Sequence, residues 1–367
     1  MTAPDLAAIS TPSRLAEPGE GISLEEVQLA ARNHGMPLEA LRYDVTPPGM
    51  HYLLTHYDIP FVDPSTYRLT LGGLVSRELS LDLDAIRSRP QVSHLVTLEC
   101  AGNGRARLEP RPVSQPWLVE AVGTSRWTGT PLAPLLREAE LEGSAVDVVF
   151  TGADHGIERG VEQDYQRSLP VAEAMRDDVL LVYEMNGAPL LPQHGSPLRL
   201  IVPGWYGMAS VKWLTRIEVV DAPFEGYQMR AYRVRQRYED DGVPLTRIEP
   251  RALLVPPGFP DYMSRTRVLR AGRTTVEGRA WSGWAAVNAV EVSTDGGRTW
   301  ESADLEPAPE PRAWARWTWT WDATTGSYDV CVRAGDESGR SQPVDQPWNR
   351  GGYANNLVQC VPVAVTD

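Results

Sequence analysis

An α+β architecture in two domains is predicted: a mixed α/β domain followed by an immunoglobulin-like β-sandwich. Three observations support it. The chain has 367 residues, beyond the size at which one hydrophobic core usually keeps growing. From Tyr43 to about Tyr238, apolar strand-like runs alternate with helical stretches. After a proline-punctuated stretch, the pattern changes to short β-type segments separated by turns.

The N-terminal extension, 1–42, is rich in Pro, Ala and Glu and holds one short helix from Ser23 to Asn33. Ser23 caps it, and Glu25 and Glu26 suit the positive end of its dipole. In the first domain, 43–245, Leu95–Leu98, Val146–Phe150 and Leu198–Val202 read as strands, and Pro131–Glu140 and Val171–Met175 as helices. Pro244 to Pro260 reads as a linker. In the second domain, 246–367, the strand candidates are Thr274–Trp281, Ala289–Ser293, Ala313–Trp321, Tyr328–Arg333 and Leu357–Val365. Turns such as Thr294-Asp295-Gly296-Gly297 and Ala323-Thr324-Thr325-Gly326 punctuate them, the spacing of a sandwich.

A formal net charge of −13 with no compensating basic cluster argues against nucleic acid as a partner. An anionic ligand must therefore be attracted by a local pocket. Three cysteines, Cys100, Cys331 and Cys360, are too few for a disulfide framework or paired zinc motifs. Neither an export signal nor a membrane-spanning apolar run is visible, so a cytoplasmic protein without a membrane partner is expected.

Cys100 lies in Leu98-Glu99-Cys100-Ala101-Gly102-Asn103-Gly104-Arg105. A strand ends at the cysteine, and small residues supply a tight turn that presents the thiol. Arg105 and Arg107 would favour its thiolate, the form that binds metals. Taken alone, the residue is most simply read as a small buried hydrophobe, and a hydrolase nucleophile with His94 or His155 as its base is a further reading.

The wider motif separates these readings. Val96-Thr97-Leu98-Glu99-Cys100-Ala101-Gly102-Asn103 resembles the signature around the molybdenum-ligating cysteine of sulfite oxidases and related assimilatory nitrate reductases. Gln193-His194-Gly195-Ser196-Pro197-Leu198-Arg199, running on to Ala209-Ser210-Val211-Lys212-Trp213, resembles the same family's second signature, and Tyr183-Glu184-Met185-Asn186-Gly187 precedes it. The likeness extends over roughly residues 46 to 365 and includes Trp348-Asn349-Arg350-Gly351. It implies a molybdopterin-binding first domain with one molybdenum-molybdopterin per chain and Cys100 as the protein's metal ligand. It also implies His56, Asp154, His194, Arg199 and Lys212 around the pterin, and Tyr232, Arg105 and Trp117 on the substrate side. A soft thiolate suits such a metal, and Arg and Lys suit a phosphate tail.

By that resemblance the expected reaction is oxygen-atom transfer, sulfite to sulfate by default, with water as oxygen source. Electrons pass to a separate acceptor, a cytochrome being one candidate, because no Cys-x-x-Cys-His haem motif is present. A homodimer through the sandwich is expected. Two of the family's arginines are replaced, by Leu54 and by Ala285 in Trp284-Ala285-Ala286. Losing cations weakens binding of a dianion, unless Arg107, Arg126, Arg159, Arg230 or Arg233 compensates. A substrate less charged than sulfite is therefore open. So are a reductive nitrate or sulfoxide reductase-like enzyme and a catalytically silent interaction module.

Overall fold

The computed structural model describes residues 4–10 and 13–367. The first domain is built on two sheets. One has the spatial order Leu79–Leu81, Leu69–Gly73, Leu214–Val220, Asp147–Glu158 and Val161–Pro170. Its buried positions, including Leu69, Leu71, Phe150, Leu214 and Ile217, form one apolar cluster with Leu132, Leu135 and Leu136 of the Leu132–Ala139 helix. Pairing of the two longest strands is broken between Thr151 and His155. Interruptions of this kind re-aim side chains beside active sites, and Asp154 lies within this one.

The other sheet pairs Val92–Glu99 with Val122–Pro131, which pairs in turn with Leu180–Met185; Arg199–Ile201 joins its far side. Leu95 to Glu99 are buried, whereas Val92, Ser93 and His94 are not. The strand thus enters the core at its C-terminal half and delivers Cys100 to the interior.

The second domain is a sandwich of a four-stranded and a six-stranded sheet. Strand Ala315–Ala323 shows the period-two pattern such a fold requires: Trp317, Trp319 and Trp321 point inward against Val290, Val292, Val330 and Val332, while Arg316, Thr320 and Asp322 face solvent. Two expectations are corrected here. The Pro244–Pro260 stretch is more than a linker, because Arg251–Leu254 is a fully buried strand paired with Gly278–Trp281. Its prolines flank the strand, where no ladder donor is required. Nor are the three cysteines too few for a bridge: Cys331 lies directly opposite Cys360 across two antiparallel strands and forms a disulfide with it. Sequence spacing could not reveal that register.

The domains meet at Glu99. This carboxylate is 1% exposed; Arg251 Nε lies 2.8 Å from its Oε1, and Trp281 Nε1 donates to its Oε2 at 2.8 Å. Both partners belong to the sandwich. Arg251 also donates to the Asn355 carbonyl, so the residue before Cys100 is bolted to two segments of the second domain.

The N-terminal extension is also anchored. Helix Leu24–Arg32 begins with a capping box in which Ser23 and Glu26 satisfy each other's backbone N–H groups. The fully buried Glu26 accepts from Arg111 Nε at 2.8 Å. Backbone bonds from Ala16 N to Arg111 O and from Val113 N to Arg14 O tie the preceding residues to the same loop.

Removing one member of a buried ion pair leaves the other uncompensated, at a cost of roughly 3–5 kcal/mol. Arg251→Met is expected to destabilise the protein by about 3 kcal/mol, read as a lower denaturation midpoint; an unchanged midpoint refutes the role given to Glu99. For Glu26, burial raises the carboxyl pKa, but bonds from Arg111 and the Ser23 N–H outweigh it and hold the group below its ordinary value. A depressed folded pKa contributes stability above the unfolded value that is lost as pH falls through the folded one. The N-terminal segment should therefore become protease-sensitive on acidification below the ordinary carboxylate range. Glu26→Gln should show that sensitivity already at neutral pH.

Candidate functional site

Cys100 sits where two cavities meet. An inner one, narrow at about 60 Å³, is lined by His51, Asp154, His194, Arg199, Lys212 and Ser210 among others. An outer one, about 760 Å³, is lined by Arg105, Trp117, Glu158, Arg230, Arg350 and Tyr353 among others. Leu54, His56, Cys100 and Tyr232 belong to both. Cys100, His56, Asp154, His194, Arg199, Lys212, Tyr232, Arg105 and Trp117 therefore each line one of these connected spaces.

The turn after Cys100 is made rigid by polar bonds. Asn103 donates to Glu99 Oε1 at 3.0 Å and to Val119 O at 3.1 Å, and accepts from Ala121 N at 3.1 Å. Gly104 has φ +92° and a side chain there would strike Asn355, so only glycine closes the turn comfortably. At Gly102 a Cβ would lie 2.6 Å from the Arg105 guanidinium. Its absence lets Arg105 fold back over the loop, donating from Nε to Gly351 O at 2.9 Å and from Nη1 to Ser114 Oγ at 3.1 Å.

Burial pushes the Cys100 thiol up, while Arg105 and the N–H groups of Gly102 and Trp117 pull it the other way. Arg107 does not share in this, contrary to expectation: its guanidinium turns away to the Val358 carbonyl. Binding to a metal would displace the thiol proton outright.

The inner cavity holds two cations, Arg199 and Lys212. Arg199 donates to the His194 and Ser210 carbonyls at 2.9 and 3.1 Å, and Lys212 to the Leu54 and Gln193 carbonyls at 2.8 and 3.3 Å. Neither cation has a carboxylate in salt-bridge contact; Asp154 is the acid whose charge is felt by Lys212. Desolvation lowers the pKa of Lys212 and raises that of Asp154. It also holds His51 at about 4 and His56 and His194 at about 3, so these imidazoles are neutral at physiological pH. Asp154 Oδ1 and Arg199 Nε are buried without a hydrogen-bond partner. Orphaned groups of this kind call for a ligand, and the set fits a pterin that offers ring donors and acceptors and a phosphate.

At the junction, His56 Nε2 and the Tyr232 hydroxyl are 2.7 Å apart. With the imidazole neutral, the tautomer that carries its hydrogen on Nε2 donates to the phenol oxygen and leaves the phenol's own hydrogen free for a ligand. Burial raises the Tyr232 pKa well above the ordinary phenol value, keeping the hydroxyl protonated and able to donate.

Other expectations fail. His94 pairs loosely with Glu310, and His155 sits exposed between Asp164 and Glu162. Neither lines a cavity with Cys100, which removes the hydrolase reading. Arg126 bonds Glu310 and lies off the site. Ala285 lines neither cavity; the sandwich reaches the outer cavity through Arg350, Gly351 and Tyr353 instead. Arg350 stands in a motif noticed in the sequence, yet nothing local signalled that its side chain turns toward the other domain. His51, Gln115 and the N-terminal residues Ile9, Ser13 and Leu29 were likewise missed; lone residues outside any motif gave no signal.

Comparison with known proteins supplies further findings. The family described as "Oxidoreductase molybdopterin binding domain" matches residues 56–228, and "Mo-co oxidoreductase dimerisation domain" matches 260–366. Sulfite oxidase of Gallus gallus is 38% identical over 328 residues, covering 84% of this chain and 70% of that protein. Mitochondrial sulfite oxidase of Mus musculus is 34% identical over 341 residues, covering 88% of this chain and 62% of its own length. Nitrate reductase [NADH] 1 of Oryza sativa subsp. japonica is 31% identical over 342 residues, covering 85% of this chain and 37% of its own. The chain thus spans under two thirds of the mouse and rice proteins. Among solved structures, the sulfane dehydrogenase SoxCD from Paracoccus pantotrophus superposes with a TM-score of 0.78 at 26% identity, covering 95% of this chain and 87% of that one.

Proposed function

The chain belongs to the sulfite oxidase family of molybdopterin oxidoreductases, and from that premise we propose that it oxidises a sulfur oxyanion by oxygen-atom transfer. Sulfite to sulfate is the reference reaction, with water supplying the oxygen. The observation that carries this reading is the position of Cys100, a lone thiol at the junction of a buried cationic cleft and a wide outer cavity.

Cys100 would ligate molybdenum, while His194, Arg199 and Lys212 would hold the pterin and its phosphate, with Asp154 accepting from the ring system. When bound, the group supplies two-electron redox chemistry at the cavity junction. Tyr232, steadied by His56, presents a hydroxyl there that hydrogen-bonds the transferred oxygen or relays a proton. Arg105 offers positive charge to the anion, and Trp117 walls the pocket and excludes water. Electrons leave singly to a separate acceptor, a cytochrome being one candidate, as the name of the SoxCD neighbour also suggests by describing a dehydrogenase. The sandwich serves as the contact with a second copy, in line with the description of its family. Among the described residues no helix is long and apolar enough to cross a membrane.

The nitrate reductase relatives favour a second reading, in which the same site works reductively. Turnover with oxidised and with reduced artificial carriers separates the two directions. Cys100→Ser is expected to abolish turnover with the fold retained by circular dichroism, and purified wild-type protein to contain molybdenum by elemental analysis; a protein free of the metal refutes the proposal. Tyr232→Phe should lower kcat about a hundredfold while leaving molybdenum content unchanged.

A further inference from the structure

We propose that Arg159, Arg350 and Tyr227 form a second oxyanion-binding site in the outer cavity, separate from the one beside Cys100, and that it takes a divalent tetrahedral anion such as sulfate. The proposal goes beyond the reaction inferred above and does not depend on its direction, because binding reads it without turnover.

The turn that carries Arg159 is the first observation. Glu158 pairs with Val161, so Arg159 and Gly160 alone connect the two longest strands of their sheet, with φ +52° and +76°. A two-residue hairpin turn with both central residues left-handed favours Asn-Gly, and a long side chain at its first position is strained. Nothing in the hairpin calls for arginine, and strain kept at such a position points to function. The tip is also held in place: Gly160 N donates to Ser10 Oγ at 2.8 Å.

The second observation is a pair of unmatched charges. Arg159 and Arg350 both line the outer cavity, one from the first domain and one from the sandwich. Burial, and after it the charge of Arg159, lowers the Arg350 pKa, so the two guanidinium groups are near enough to repel. Among the described residues neither forms a salt bridge: Arg350 donates from Nη2 to the Ser13 carbonyl at 3.2 Å, and Arg159 lies over the Tyr238 ring, 5.5 Å from its centroid. Arg350 Nη1 and the Tyr227 hydroxyl, on the same wall, are buried without a hydrogen-bond partner. Such orphans call for a ligand. The nearby acids do not supply it. Glu158 accepts from Gln228 Nε2 at 3.4 Å and has its pKa raised by burial, Glu25 bonds its own backbone N–H and Ser23, and Glu239, whose charge reaches Arg350, is exposed.

These groups stand apart from the reacting end. Arg105, 6% exposed, is the cation felt by Cys100, and it lies over the Tyr353 ring, 5.0 Å from its centroid. Burial raises the Tyr353 pKa while Arg105 and Arg159 both lower it, so this ring stands between the inner cation and the outer pair. Arg159 is exposed, which puts the pair toward solvent. Two unpaired positive charges match a divalent anion, and a tetrahedral one has oxygens enough to accept from Arg350 Nη1, Arg159 and the Tyr227 hydroxyl together. In a protein of net charge −13, such a station concentrates an oxyanion on its way between solvent and the thiol.

The test uses molybdenum-loaded protein crystallised without sulfate or phosphate and soaked in selenate, whose selenium gives an anomalous signal. Selenium is expected within hydrogen-bond reach of Arg350 Nη1 and the Arg159 guanidinium, in addition to any bound beside Arg105. It should be lost from that place in the double variant Arg159→Asn with Arg350→Leu. In equilibrium dialysis with radiolabelled sulfate at fixed ionic strength, the wild type should bind one more anion per chain than the double variant. Asn tolerates a positive φ, so Arg159→Asn alone should keep the wild-type melting temperature while its outer selenium falls in occupancy. Selenium found only beside Arg105, or equal sulfate uptake by wild type and double variant, overturns the inference. Neither result bears on the oxidative function, which turnover tests separately.

Discussion

The buried contact among Glu99, Arg251 and Trp281 is the constraint on which the site depends. Glu99 ends the strand that carries Cys100, and two of its partners, Arg251 and Trp281, belong to the sandwich. A carboxylate in the interior is tolerable only when paired and hydrogen-bonded, so the first domain cannot place its thiol correctly without the second. The same contact brings the segment around Arg350 and Tyr353 over the outer cavity. The sandwich is thereby part of the site's wall as well as a neighbouring domain.

Electrostatics divide the molecule into regions of opposite character. The surface is acidic overall, yet the cleft behind Cys100 holds Arg199 and Lys212 with carbonyls for partners. Carbonyls satisfy the donors without cancelling the charge, which leaves both cations free to act on a bound anion. Neutral histidines fill the remaining polar positions, because burial makes a protonated imidazole costly. On the other side of the thiol, the outer cavity is lined by Arg105, Arg159, Arg350 and Glu158 together with apolar side chains such as Val113 and Ile157.

Much of this was legible in the sequence. The alternation of Trp317, Trp319 and Trp321 with exposed residues announces a half-buried strand, and the Ser23–Glu26 spacing announces a capped helix. The run into Cys100, closed by Gly102 and Gly104, announces a presented thiol. These are local properties, set by periodicity, capping chemistry and backbone freedom within a few residues. Cys100, His194, Arg199 and Lys212 stand in motifs long enough to be recognised.

What chain neighbours cannot specify was decided by the tertiary structure. Cys331 and Cys360 are 29 residues apart and meet only because two strands pair in one register. Arg251–Leu254 reads as part of a proline-rich connection until the Gly278–Trp281 edge offers its backbone a partner. Ala285 lines neither cavity, and Arg350, noticed only as part of a motif, lines the outer one from the other domain. Sequence alone determined which elements form and which residues carry chemistry, since those follow from short-range preference. Domain packing decided which side chains face one another across the cavity, since burial and pairing are properties of chain segments far apart in sequence.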